Sequence, residues 1–275
     1  MRLNLLYLDT NMKTAKALLA TIVLAAASAT QAANVLVVLS DANHLDLKDG
    51  KVYPTGFYLN ELIQPVKMLL DAGHQITFAT PLGNAPTLDK NSVDAMYFNG
   101  DAGALKTHLA FLEKLALTSV NKSPVISLSR VEQIGYERFD AVYIPGGHAP
   151  MQDLIVSAPL GRLLSSFHAK NKPTALVCHG PAALLSARDG TAKWIYEGYR
   201  MTVISNVEED LAKAALKGGE MTLLPQSGLE QAGANYSSNT KPWSAYVVTD
   251  RELITGQNPA SAVQVGQALL ARLKK

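Results

Sequence analysis

Thr174-Ala175-Leu176-Val177-Cys178-His179-Gly180-Pro181 is the stretch on which the reading of this chain turns. An uncharged, largely apolar run ends at Cys178, and a glycine and a proline suited to the first turn of a helix follow. A buried strand that breaks sharply into a helix has the logic of a nucleophile elbow, in which a tight turn lifts a reactive side chain clear of the sheet edge. A helix starting there would also point its positive end towards the sulfur and favour thiolate over thiol.

Outward from this junction, strand and helix patterns alternate. Residues 34–40 (NVLVVLS), 75–80 (QITFAT), 139–144 (FDAVYI) and 201–205 read as further strands, most of them apolar enough to be buried on both faces. Residues 245–249 and 252–255 flank Asp250 and Arg251 like the arms of a hairpin. Between strands, residues 58–70 repeat apolar side chains at helical spacing up to a natural stop at Gly73, with Pro65 expected to kink or restart the helix. Residues 160–169, 181–187 and 208–216 are shorter helical segments, and 258–273 is an amphipathic helix capped by Asn258 with Pro259 behind it. This order predicts a doubly wound, mostly parallel α/β sheet with helices on both faces. Residues 99–138, with a helix near 105–117, are expected to form a small insertion rather than a second domain.

The N-terminus reads differently. A basic start at residues 12–16, an apolar run over 17–27 and a small-residue zone ending at Ala32 and Ala33 have the three parts of a secretory signal. Residues 1–32 are therefore expected to be removed, with Met12 a candidate start, leaving residues 33–275 as one exported domain, periplasmic or secreted. The apolar run is shorter than the roughly 20 residues that span a bilayer, so no membrane association is expected once it is gone. The formal charge of the whole chain is +2; loss of Arg2, Lys13 and Lys16 against Asp9 brings it to zero. Nothing here offers the basic surface that nucleic acid demands.

Cys178 is the only cysteine, which rules out an intramolecular disulfide. A leftover cysteine in an exported chain is either a free reactive thiol or a small buried hydrophobe. Two other segments reach the same edge of the predicted sheet. After the strand at 139–144, Gly146 and Gly147 would let backbone N–H groups face a ligand, and the N–H groups of Gly147 and His179 could form an oxyanion hole. After the first strand, Glu61 lies one turn into a helix. It either approaches the sulfur or is a solvated acid favoured by the helix dipole.

Four motifs in this order, Thr55-Gly56-Phe57 with Glu61, Tyr143-Ile144-Pro145-Gly146-Gly147-His148-Ala149-Pro150, Ala175-Leu176-Val177-Cys178-His179-Gly180-Pro181 and Leu253-Ile254-Thr255-Gly256-Gln257-Asn258-Pro259, resemble the ThiJ/PfpI superfamily. The likeness is to its branch of glyoxalase III and heat-inducible chaperone proteins, and it runs from about residue 34 to the C-terminus. It implies a flavodoxin-like fold with a catalytic cysteine, its histidine neighbour, a glutamate touching the sulfur and an acid orienting the histidine. In this sequence these are Cys178, His179, Glu61 and, in Tyr196-Glu197-Gly198, Glu197, with Asp189 as the competing acid. A homodimer is implied by the same resemblance.

Class I glutamine amidotransferases share the elbow but need a downstream His-x-Glu. The histidines here are 44, 74, 108, 148, 168 and 179, so none lies beyond the cysteine's own neighbour. His44, His74, His108 and His168 show no metal-ligand spacing, and no metal or cofactor is expected. The leading expectation is an enzyme acting on small reactive carbonyls, converting methylglyoxal to lactate or performing related deglycase or hydrolase chemistry. A holdase chaperone or a redox-responsive thiol is the alternative, with peptidase activity ranked below both.

Overall fold

The computed structural model describes residues 32–274, so the signal-like segment and its cleavage zone up to residue 31 lie outside the described residues. In chain order the strands are β1 (Asn34–Val38), β2 (His44–Asp46), β3 (Val52–Pro54), β4 (Gln75–Thr80), β5 (Ile126–Ser127), β6 (Ala141–Ile144), β7 (Thr174–Val177), β8 (Arg200–Met201), β9 (Asn235–Tyr236), β10 (Val247–Asp250) and β11 (Leu253–Gly256). Seven of them form one sheet in the order β10-β11-β7-β6-β1-β4-β5. Every pairing in it is parallel except β10 with β11, the hairpin read from the sequence. Within this sheet β4-β1-β6-β7-β11 follows the flavodoxin-like strand order.

Side chains alternate faces along a strand, yet every residue of β6, β7 and β11 is buried. Both faces are therefore covered, which is why these strands read as unbroken apolar runs. The covering helices include α1 (Leu59–Asp71), α2 (Ala102–Leu115), α3 (Leu128–Ile134), α4 (Ala158–Ala169), α5 (Asn206–Ala212), α6 (Pro225–Ala232) and α7 (Ala262–Leu273). α1 packs on α7, and α3 on α4. Among the described residues, no helix is long and apolar enough to cross a membrane.

Four local expectations change. α1 runs without a break through Pro65. The segment expected as a plain insertion contributes β5, which extends the sheet beyond β4 with Ile126 opposite Ala79. A two-residue strand carries no detectable period, so the sequence could not show it. The strand expected over 201–205 shrinks to β8, which pairs with β9 outside the main sheet. β8 lies beside the edge strand β10, where the Arg200 N–H donates to the Asp250 side chain at 2.8 Å rather than into the sheet ladder. Finally, the helix after Cys178 is a 3-10 helix, Gly180–Ser186.

Candidate active site

The chain leaves β1 and β6 towards opposite sides of the sheet, and ligands of such folds bind beyond the strand ends at that switch point. Three segments converge there. Cys178 follows β7 with φ of 62°, a left-handed conformation unusual for a residue with a side chain. Its N–H donates to the Gly256 carbonyl at 2.9 Å, and its own carbonyl accepts from Ile204 N–H at 3.1 Å. Held on both sides, the strained residue aims its thiol at the strand ends.

Gly146 and Gly147 leave β6 and pass close against this thiol. A Cβ on Gly146 would stand 2.7 Å from His179 N and 2.8 Å from both Cys178 Cβ and Glu61 Oε2. One on Gly147, whose φ is +83°, would lie 2.0 Å from the Gly56 carbonyl oxygen. Only glycine fits at either place. In return, the N–H of Gly146 donates to Glu61 Oε2 at 2.8 Å and that of Gly147 points at the sulfur.

Glu61 is completely buried, so the solvated reading of this residue is excluded. Pro65 helps to fix it. Proline has no N–H to give to the carbonyl four residues earlier, which is that of Glu61. The buried hydroxyl of Tyr143, from β6, donates to this carbonyl instead. Burial pushes the Glu61 carboxyl up to about 7, against the stabilising hydrogen bonds from Cys178 and Gly146. Burial also raises the Cys178 thiol well above its ordinary value, with the Glu61 and Glu209 carboxylates adding to the effect. Burial and the two acids thus oppose whatever the short 3-10 turn contributes towards the thiolate.

His179 lies beside the nucleophile, its Nδ1 3.3 Å from Cys178 Sγ. Its Nε2 is 2.7 Å from Glu209 Oε1, although the alignment is poor and both atoms lack a well-directed hydrogen bond. Burial resists ionisation of Glu209, but the combined pull of His179 and His148 outweighs it and holds this carboxyl below its ordinary value. The ring of His148 lies 4.2 Å from that of His179, tilted by 42°, and burial followed by the charge of His179 drives the pKa of His148 down to about 3.

Glu209 replaces both acids considered from the sequence. Glu197 is exposed and pairs with Lys193 at 2.9 Å, whereas Asp189 caps the turn at Thr191 and Lys193. Neither is brought to His179. A signal for Glu209 existed in the sequence. Ser205 and Glu208 form a capping box: Ser205 Oγ accepts from Glu208 N–H at 3.1 Å, and Glu208 Oε2 accepts from Ser205 N–H at 3.0 Å. That motif fixes the start of α5 and puts Glu209 in its first turn.

A cavity of about 520 Å³ opens over Cys178, His179 and Glu209. Tyr58, Asn60, Gln64, Asn91, Tyr97 and Trp243 contribute to its wall, and among the described residues no lysine or arginine lines it. The atoms that could bind a metal on His148, His179 and Glu209 all lie within 4.8 Å of one another, although the three residues come from separate segments of the chain.

Residues 52–272 match the DJ-1/PfpI family. The chain is 25% identical over 240 residues to "Glyoxalase 3" of Candida albicans, covering 86% of this chain and 97% of that protein. It is 26% identical over 242 residues to "Protein/nucleic acid deglycase HchA" of Staphylococcus aureus, covering 85% and 77%. The crystal structure of glyoxalase III from Candida albicans superposes with a TM-score of 0.70 at 24% identity, over 87% of this chain and 96% of that one, a likeness of fold. With its elbow cysteine and the glycine and glutamate motifs around it, this chain belongs to the DJ-1/PfpI family.

Proposed function

We propose that this protein is a glyoxalase III-like enzyme that converts methylglyoxal, or a closely related neutral 2-oxoaldehyde, to the 2-hydroxy acid without a thiol cofactor. The observation that carries this reading is Cys178 Sγ at 3.3 Å from His179 Nδ1 on the floor of a cavity without cationic residues. A site for phosphorylated or carboxylated substrates would offer a lysine or arginine. The relatives named glyoxalase and deglycase support the same class of carbonyl substrate.

The steps follow from the geometry. As Sγ attacks the aldehyde carbon, the thiol proton passes to His179 Nδ1, which answers the high pKa of the resting thiol. The alkoxide is held by the N–H groups of Gly147 and His179 and takes that proton to give a hemithioacetal. The freed Nδ1 then removes the hydrogen from the former aldehyde carbon as the neighbouring carbonyl becomes the second hydroxyl of an enediol, the first hydroxyl giving its proton to that oxygen. Return of the hydrogen from Nδ1 to the neighbouring carbon leaves a thioester carbonyl on the first carbon and a hydroxyl on the second. Water cleaves the thioester, releasing lactate and the thiol. Glu209 supports the imidazolium at each stage, and protonated Glu61 donates to the sulfur whenever it carries negative charge.

The test is lactate formation from methylglyoxal by purified protein in glutathione-free buffer. Turnover by Cys178→Ala equal to that of the native chain would refute the reading. Export, for which the signal-like residues 12–33 are the support, is tested by the mass of the protein recovered outside the cytoplasm. Dimerisation, supported by the family resemblance, is tested by its mass in solution.

A further inference from the structure

We propose that His148, His179 and Glu209 form a binding site for one divalent transition-metal ion, best suited to zinc, and that its occupation arrests the enzyme. The arrest rests on the glyoxalase reading; the metal site does not. Two imidazoles and one carboxylate are a three-ligand set that zinc accepts, with the fourth position left to water. All three residues are buried and all three border the cavity, from which that water can come.

The distances are near what coordination requires. Bonds of about 2.0–2.2 Å in a tetrahedron put neighbouring ligand atoms roughly 3.4 Å apart. Here His179 Nε2 and Glu209 Oε1 are 2.7 Å apart, and His148 Nε2 and Glu209 Oε2 are 4.0 Å apart. With one ligand atom taken from each residue, all three lie within 4.8 Å of one another. The cluster is also polar beyond what its own members satisfy. His179 Nε2 and Glu209 Oε1 are buried and meet no well-directed hydrogen bond, although they stand 2.7 Å apart. Leaving such atoms poorly satisfied is costly, and a cation held between them and the His148 ring would meet the need.

Metal on His179 Nε2 leaves the ring proton on Nδ1, the nitrogen 3.3 Å from Cys178 Sγ. Nδ1 then has no free lone pair to take the thiol proton or the substrate hydrogen. The ion also draws Glu209 away from its role beside the imidazole. The sulfur contacts the opposite nitrogen of the same ring, so it lies outside the coordination sphere.

Cobalt(II) is the probe, because its visible absorption reports coordination number and ligand type. The expected result for chelator-stripped native protein is a tetrahedral cobalt band that saturates at one equivalent and is displaced by zinc. Cys178→Ala keeps this band, while His148→Gln and Glu209→Gln lose it with unchanged far-ultraviolet circular dichroism. Zinc at one equivalent lowers lactate formation at least tenfold, and EDTA restores it. Absence of a stoichiometric band overturns the site, as does a band that needs Cys178 and shows thiolate-to-cobalt charge transfer. A bound ion that leaves turnover unchanged overturns the arrest. Protein that binds one cobalt ion yet makes no lactate at all supports the site and refutes the glyoxalase reading instead.

Discussion

His179 stands 2.7 Å from Glu209 at the carboxyl edge of the sheet, and His168 stands 2.8 Å from Glu252 at its amino edge. Both pairs join a histidine to a buried glutamate, yet their surroundings differ in every other respect. At the amino edge the hydroxyl of Tyr199 reaches both partners, 3.1 Å from His168 Nδ1 and 3.2 and 3.3 Å from the Glu252 oxygens. The guanidinium of Arg251 lies 3.2 Å above the Tyr199 ring. That network is closed and ties α4 to the turn between β10 and β11. At the carboxyl edge the polar atoms are incompletely satisfied, a strained cysteine adjoins the ring, and a cavity opens above. A histidine–glutamate pair acquires chemistry from its position and its unmet hydrogen bonds, not from its composition.

The largest contrast is expected from the nucleophile. Cys178→Ala should lower lactate formation at least about a thousandfold, because removing a nucleophile from a group that acts as a unit abolishes most of the acceleration. Its thermal midpoint should stay near that of the native chain. Glu209→Gln keeps the shape but not the charge beside the imidazole, and should reduce kcat by about 10²–10⁴-fold. Steady-state kinetics should show this loss with little change in KM.

Glu61 sets the next effect, on stability. Its folded-state pKa of about 7 lies above the ordinary value of 4.5, so the folded protein binds the extra proton between these limits. Stability contributed by the protonated acid is present below about pH 4.5 and is lost as pH rises through 7, by about 3 kcal/mol. Urea unfolding at pH 5 and pH 7.5 should reveal the fall, and Glu61→Gln should flatten it. Persistence of the same slope in the variant would assign it to another group.

Glu252→Gln, on the other side of the comparison, should cost about 1–3 kcal/mol of stability while leaving kcat/KM within about twofold of native. A large loss of turnover would mean that the two edges of the sheet are coupled. The smallest effects belong to Glu197→Gln and Asp189→Asn, whose exposed side chains should change neither turnover nor unfolding by more than about 0.5 kcal/mol.

Much of the fold was legible because covered parallel strands leave a simple trace. The runs at 34–38, 141–144 and 174–177 are largely apolar without alternation, and helical patterns lie between them. What escaped were β2, β3, β5 and β9, two or three residues each, the helix α6, and the continuity of α1 across Pro65, while the strand read over 201–205 shrank to β8. The continuity of α1 depends on Tyr143, a residue 82 positions from Glu61 that supplies the missing hydrogen bond. Cys178, His179 and Gly147 were legible because a strand, a tight turn and a helix start lie consecutively in the chain.

The sequence by itself determined the parallel sheet and the elbow that ends in Cys178, since both follow from local pattern and from residues adjacent in the chain. Only the tertiary structure decided which acid stands beside His179. Glu197, Asp189 and Glu209 are all acids downstream of the elbow, and although the capping box places Glu209 in a helix's first turn, no local pattern says which of them meets the imidazole. The chain turns back over the carboxyl edge from Ile204, which is bonded to Cys178, and the capping box at Ser205 then starts α5 with Glu209 facing the imidazole. A buried pair between distant segments is settled by packing, because the cost of burying a lone charge is relieved only where the folded chain supplies its partner.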